Sequence, residues 1–385
     1  MFSRRSRFDS RPNRFTRALE AARARGAPLV DLTAGNPTLA GVPYDEARVV
    51  SAFARPEALR YEPEPLGLAS ARETIARLWG ERGLDVAPER VVVTASTSEA
   101  YAFSFKLFCD PGDEVLVPAP SYPLLEHVSQ LESVRLVRYP LGYDGAWYID
   151  VDAVRRAVTA HTRAIVVVTP NNPTGSYLKR GELEPLAELG LPIVSDEVFA
   201  EYPLINDAHR ARSALEAAET LVVALDGLSK LAALPQVKLA WMTLGGPEAR
   251  VKEALARLEL VADAFLSPST AAQIALPELL ANRHGAADAI RARVRANDAA
   301  LRAACRDSEA TPLFVEGGWY AVVRFPATRS DEDWALALLE RGVVVHPGYF
   351  FDFEGPPCVV VSLLTPEVEL AEGGARLART VAGGS

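Results

Sequence analysis

Between about residue 90 and residue 245, short apolar runs alternate with stretches of helical spacing. The runs are Val91–Thr94, Val115–Val117, Val134–Tyr139, Ala164–Thr169, Ile193–Ser195, Leu221–Leu225 and Leu239–Thr243. Each is too short for a helix, and most are continuously apolar, as strands covered on both faces are. The segments Ser98–Phe108, Asp150–Val158 and Gly181–Leu189 between them carry helical periodicity. This alternation predicts an α/β fold with a mostly parallel central sheet and helices on both of its faces.

From about 247 to 305 the chain reads as helix rich in Ala, Arg and Leu, broken at Ser267-Pro268-Ser269. A second pattern follows: strand Tyr320–Arg324, helix Asp331–Glu340, strands Val343–Val345 and Val359–Leu363, and a closing helix. It predicts a smaller α/β domain. At the other end, eight arginines fall in the first 25 residues, with Phe15, Leu19 and Ala22 on one face of a helix. An exposed amphipathic helix is favoured there; an Arg-rich transit peptide is the other reading. The expected division is an N-terminal segment 1–44 joining the small domain, a large domain 45–270, and a C-terminal small domain 271–385.

Composition narrows the class. Hydrophobic residues make up 49% and charged residues 24%, as in globular proteins, and the net charge is −9. That charge argues against nucleic acid or an anionic membrane as partner. No apolar run reaches the roughly 20 residues of a spanning helix. Cys109, Cys305 and Cys358 are far apart and in no ligand spacing, so no structural metal and a reducing, cytoplasmic setting are expected.

In an open α/β sheet, ligands bind beyond the carboxyl ends of the strands. Five polar segments fall there: Ser96-Thr97-Ser98, Pro120-Ser121-Tyr122, Asn171-Asn172-Pro173-Thr174-Gly175, Asp196, and Ser229-Lys230. One such loop would mean only a turn. Five along one sheet edge describe a site.

These segments resemble class I/II aminotransferases of the pyridoxal 5′-phosphate (PLP) dependent fold type I. The likeness runs from Asp31-Leu32-Thr33-Ala34-Gly35-Asn36-Pro37 to Ser362. It is most specific at Asn-Asn-Pro-Thr-Gly (171–175), Ser-Asp-Glu-Val (195–198) and Gly-Leu-Ser-Lys (227–230). The resemblance implies PLP held as an imine on Lys230, the residue whose amine can condense with an aldehyde. It implies Asp196 beside the pyridine nitrogen, Asn172 at the ring 3′-oxygen and Tyr122 stacked on the ring. Thr97, Ser98, Ser229 and Lys238 would hold the phosphate, the first two at a helix N-terminus suited to an anion. Tyr61 would reach the phosphate of a neighbouring subunit, implying a homodimer with shared sites. Catalysis would fall to Lys230 and Asp196. The partners implied are an amino donor and a keto-acid acceptor.

The sequence departs from the family pattern in places. Phe199 stands where a tyrosine is common, Gly227 where a serine is, and Lys238 where an arginine is. More consequential, Val360 stands where the arginine for the substrate carboxylate is expected, and no arginine lies between Arg341 and Arg376. Gly35 and Asn172 could assist in binding the substrate, and Arg14 or Arg324 are the candidate replacement cations. Transamination is the leading reading. A PLP-dependent lyase and a non-catalytic PLP-binding protein remain open, because a fold does not fix a reaction.

Overall fold

The computed structural model describes residues 1–8 and 11–383. A two-residue strand near the N-terminus, β1 (Val30–Asp31), precedes the strands of the large sheet. These are β2 (Val91–Thr94), β3 (Glu114–Ala119), β4 (Arg135–Tyr143), β5 (Trp147–Ile149), β6 (Thr162–Val168), β7 (Ile193–Asp196), β8 (Val222–Gly227) and β9 (Ala240–Gly245). Among the described residues they form one eight-stranded sheet in the order β2-β9-β8-β7-β6-β3-β4-β5. The chain order reverses between β6 and β3, the position where α/β sheets open a ligand crevice.

The alternation read from the sequence thus becomes a mostly parallel sheet, with two local exceptions. β9 is antiparallel to both β8 and β2, and β5 is antiparallel to β4. A parallel return needs a long crossover, usually a helix packed on the sheet. Residues 228–239, between β8 and β9, hold only the four-residue helix Leu228–Leu231 and a 3-10 turn. β9 therefore comes straight back, and its beginning joins the edge where β8 ends.

The remaining strands are β10 (Thr311–Pro312), β11 (Tyr320–Arg324), β12 (Val343–Val344), β13 (His346–Pro347) and β14 (Cys358–Ser362). Four of them pair antiparallel in the order β10-β11-β14-β13, and β12 pairs in parallel with β1. The N-terminal segment is thus tied to the C-terminal layer. The helix Arg14–Ala24 confirms the amphipathic pattern by burying Phe15 and Ala22 in that layer's core.

The helix Thr270–Ala281 packs elsewhere. Ala272, Leu276 and Leu280 share a core with Trp79 and Trp241, on the large sheet. The next helix, Arg283–Cys305, gives Ile290, Val294 and Leu301 to the small-layer core with Leu370 and Leu377. We therefore place the division between the layers near Asn282 rather than at 270, because burial changes side there.

Candidate active site

Strand register brings the predicted segments to one edge. Thr94 at the end of β2 and Gly227 at the end of β8 both pair with Ala240 at the start of β9. Asp196 at the end of β7 pairs with Leu225 on one side and Val168 on the other. The loops after β2, β6, β7 and β8 therefore leave the sheet together. Gly227 has a local reason to be glycine: a Cβ there would lie 2.7 Å from Ala240 Cβ and 2.9 Å from its Cα.

Lys230 follows β8 in the helix Leu228–Leu231. Its amine lies 5.1 Å from the ring centre of Trp319 and 5.6 Å from that of Phe199. Burial among these rings lowers its pKa, and the nearby Asp196 carboxylate opposes the shift. Tyr202 Oη fixes the backbone beneath it by donating to the Lys230 carbonyl at 2.6 Å. Lys238, expected from the resemblance to help hold the phosphate, is exposed and in a left-handed conformation with φ 58°. The lowering of the Lys230 pKa comes from desolvation.

Asp196 accepts a hydrogen bond from Tyr101 Oη at 3.0 Å and one from the Val198 N–H at 3.3 Å. Burial nonetheless pushes its pKa up to about 6, outweighing those two bonds. Behind it, Asp226 at the end of β8 is fully buried and paired with Arg82 at 2.9 Å; Arg82 also binds Glu201 at 2.9 Å. Glu197 is buried too, pushed up to about 7 by desolvation although Ser195, Ser213 and the Ala214 N–H all donate to it.

The loop after β6 is held by Asn171. Its side-chain amide donates to the Pro120 carbonyl across the reversal in strand order at 3.3 Å, while its oxygen accepts from Thr174 Oγ1 at 3.0 Å. The next residue differs: Asn172 Oδ1 is buried and has no hydrogen-bond partner among the described residues. From the small layer, the Gly317 N–H donates to Gly175 O and the Gly318 N–H to Tyr202 O, both at 3.0 Å. These bonds deliver Trp319 and Tyr320 to the large-layer loops. Phe199 meets both rings edge-on, at 5.2 and 6.3 Å. Gly35 lies against Tyr320 so closely that a Cβ on it would be 2.6 Å from Tyr320 Oη. Burial, with Tyr122 adding to it, pushes the Tyr320 phenol up to about 12. Tyr122 is therefore near Tyr320, half of its surface open.

Thr97 and Ser98 form the first turn of the helix Thr97–Phe108, capped by Ser96, whose hydroxyl accepts from the Glu99 N–H at 3.1 Å. Their own N–H groups have no partner within the helix. Ser229 is the second residue of the short helix that carries Lys230. Tyr61 lies in an irregular segment and is 71% exposed.

The two arginines expected near the substrate are engaged elsewhere. Arg14 binds Asp333 at 2.7 Å, with Glu332 at 4.0 Å, so its charge docks the N-terminal helix on the first turn of the helix Asp331–Glu340. Arg324 ends β11, four residues and roughly 13 Å along the strand from Tyr320, and its guanidinium lies over the Tyr143 ring at 5.4 Å. Val360 is fully buried with Trp147, Leu313, Val322, Phe351 and Cys358.

Sequence reading missed Tyr101, Trp319 and the Arg82–Asp226 pair. Tyr101 lies one helical turn past Thr97, which puts it on the face above the strand ends. Trp319-Tyr320 after Gly317-Gly318 was a visible signal, since two glycines before an aromatic pair mark close backbone approach. Arg82 and Asp226 are 144 residues apart, and nothing local joins them.

A desolvated lysine in an aromatic box, a buried carboxyl and an unpartnered amide oxygen thus lie on loops at the edge of a mostly parallel sheet in an α/β fold. The chain belongs to the class I and II aminotransferase family, whose model matches residues 27–374. It is 32% identical over 380 residues to a probable aspartate/prephenate aminotransferase of Thermus aquaticus, covering 95% of this chain and 94% of that one. It is 31% identical over 260 residues to the glutamate-pyruvate aminotransferase AlaA of Escherichia coli strain K12, covering 66% of this chain and 64% of the relative's length. The solved aspartate aminotransferase of Thermus thermophilus with maleate superposes with a TM-score of 0.83 at 29% identity, covering 99% of each chain.

Proposed function

We propose that the protein is a PLP-dependent aminotransferase that moves an amino group from an amino acid to a keto-acid acceptor. The observation that carries this reading is Lys230 itself, an amine held in the desolvated box of Trp319 and Phe199 with Asp196 as its nearby charge.

The residues fit the cofactor. Lys230 offers an amine shifted toward its unprotonated, nucleophilic form. Asp196, with Tyr101 and the Val198 N–H donating to it, offers a carboxylate for a ring nitrogen. Asn172 keeps a buried polar atom that no protein group uses. Thr97, Ser98, Ser229 and Lys238 would hold the phosphate, and Tyr122 would cover the ring. Bound PLP supplies a protonated ring that draws electrons from the carbon bearing the substrate amine. Lys230 Nζ would serve as the base that takes the proton from the substrate α-carbon. Asp196 would hold a proton at the ring nitrogen, where its burial would strengthen the charge pair. Gly35 and Asn172 would orient the substrate, and Tyr61 would complete the site across a homodimer.

The test adds amino acids singly to the purified protein. One keto acid should form per subunit, with further turnover only when a keto-acid acceptor is supplied. Continuous release of keto acid or ammonia without an acceptor would mean a lyase, and no product at all a non-catalyst. Reduction with borohydride should label the peptide containing Lys230. Of the five lysines, Lys106 and Lys179 are ion-paired with Glu132 and Glu316. A label on any lysine but Lys230 would overturn the assignment.

A further inference from the structure

We propose that His346 binds the substrate carboxylate, taking over from the next strand the role that an arginine at position 360 would fill; this rests on the aminotransferase reading above. The β13–β14 register sets His346 directly opposite Val360, and Val322 of β11 faces Val360 from the other side. Residues directly opposite in an antiparallel pair present their side chains to the same face, with Cβ atoms about 5 Å apart. Whatever space a side chain at 360 faces, the imidazole faces also.

That face is the one toward the site. Val345, Val359 and Val361 pack into the small-layer core on the helix side, whereas Val360 and Val322 point the opposite way. The next row along β14 pairs Ser362 with Tyr320, the residue whose hydroxyl abuts Gly35. Ser362 Oγ also donates to the Ala34 carbonyl, which draws the Gly35 loop over this end of the sheet. His346 is therefore one row from the place where Gly35, Tyr320 and Tyr122 meet.

The imidazole is free to act. His346 is half-buried; its ring neighbours are Phe350 and Phe351, at 6.1 and 5.8 Å between centres. Among the described residues no hydrogen bond or ion pair engages its nitrogens. Asp31 is the charged group that acts on it, yet Asp31 already accepts from the Thr33 N–H, from Thr33 Oγ1 and from Arg23. Alternatives are scarce. Between Arg341 and Arg376 His346 is the one basic residue, while Arg14 and Arg324 are turned to Asp333 and Tyr143. Burial disfavours the charged form of the ring, and an arriving carboxylate favours it, giving a single charge-assisted bond instead of an arginine's bidentate fork. The ligand class is a carboxylate-bearing amino acid, not a simple amine.

Imidazole NMR signals of the holoenzyme, labelled at its five histidines, can be followed while maleate, a dicarboxylate without an amine to transfer, is titrated. The His346 signal, identified by its loss in His346→Gln, should shift saturably while those of His127, His161, His209 and His284 stay put. His346→Leu should raise KM for the amino acid about ten- to hundredfold with little change in kcat, and His346→Gln should raise it less. A His346 signal unmoved by tens of millimolar maleate, or an unchanged KM in His346→Leu, overturns the proposal. If maleate shifts His346 but no amino acid is transaminated, the activity reading fails and the carboxylate site stands.

Discussion

Tyr101 Oη donates to Asp196 Oδ2 at 3.0 Å, so the carboxyl that ends β7 is held by a phenol from the helix above it. That bond does not offset burial, and the Asp196 pKa rises from 3.8 to about 6. Between those values the folded protein binds more protons than the unfolded chain, so stability falls as pH rises and then levels off. In the cofactor-free protein Asp196→Asn should therefore be more stable than wild type above pH 6, by on the order of 2–3 kcal/mol. Below about pH 4 that advantage should vanish, because the carboxyl is neutral in both states. Thermal melts from pH 4 to 8 decide it; a difference that does not change with pH would refute the buried-charge account.

Gly35 and Tyr320 make a second coupled pair. A methyl on Gly35 must displace the Tyr320 hydroxyl, since the two would be 2.6 Å apart. Gly35→Ala should lower kcat/KM by up to about a hundredfold, the cost of a misplaced substrate contact. Tyr320→Phe removes the obstructing oxygen and should restore much of that loss in the double variant. Additive losses would show that the contact is not the cause.

Arg82 tests the support behind the site. It pairs with Asp226, fully buried, and with Glu201. Arg82→Met strands both carboxylates and should cost about 3–5 kcal/mol of stability. Arg212, half-exposed and paired with Glu216, is the control: Arg212→Met should cost less than about 1 kcal/mol. Denaturant unfolding of both variants gives the comparison, and equal losses would contradict it.

Assembly is tested through Tyr61. Tyr61, Leu59, Leu260 and Leu266 are all more than 60% exposed, apolar surface that a partner subunit would cover in the proposed dimer. Light scattering should report twice the chain mass of 41.6 kDa. Tyr61→Phe should weaken cofactor retention by about 1 kcal/mol, the worth of one hydrogen bond. A fully active monomer would end the shared-site idea.

Much of this was legible along the chain. Apolar runs buried on both faces marked β2 and β6 to within two residues of each end, because such strands leave no polar position to blur them. Lys230 and Asp196 were legible through the Gly-Leu-Ser-Lys and Ser-Asp-Glu-Val motifs and their resemblance to the family, since a lysine placed after a strand is by itself an ordinary loop residue. The direction of β9 was not, since it depends on what fits between 228 and 239. Nor was the side of the molecule that the helix Thr270–Ala281 covers, because an apolar face does not say which partner buries it.

By itself the sequence determined the order of the polar loops along the chain, the residue types they carry, and the loss of arginine at position 360. These are local facts, fixed by residue type and by the two-residue and 3.6-residue periods of the backbone. The tertiary structure alone decided which groups share a space: Tyr101 with Asp196, Trp319 with Lys230, Arg14 with Asp333, His346 with Val360. Cross-strand register and packing between layers join residues far apart in sequence, and burial then sets their charge, so neither partner nor pKa can be read from spacing along the chain.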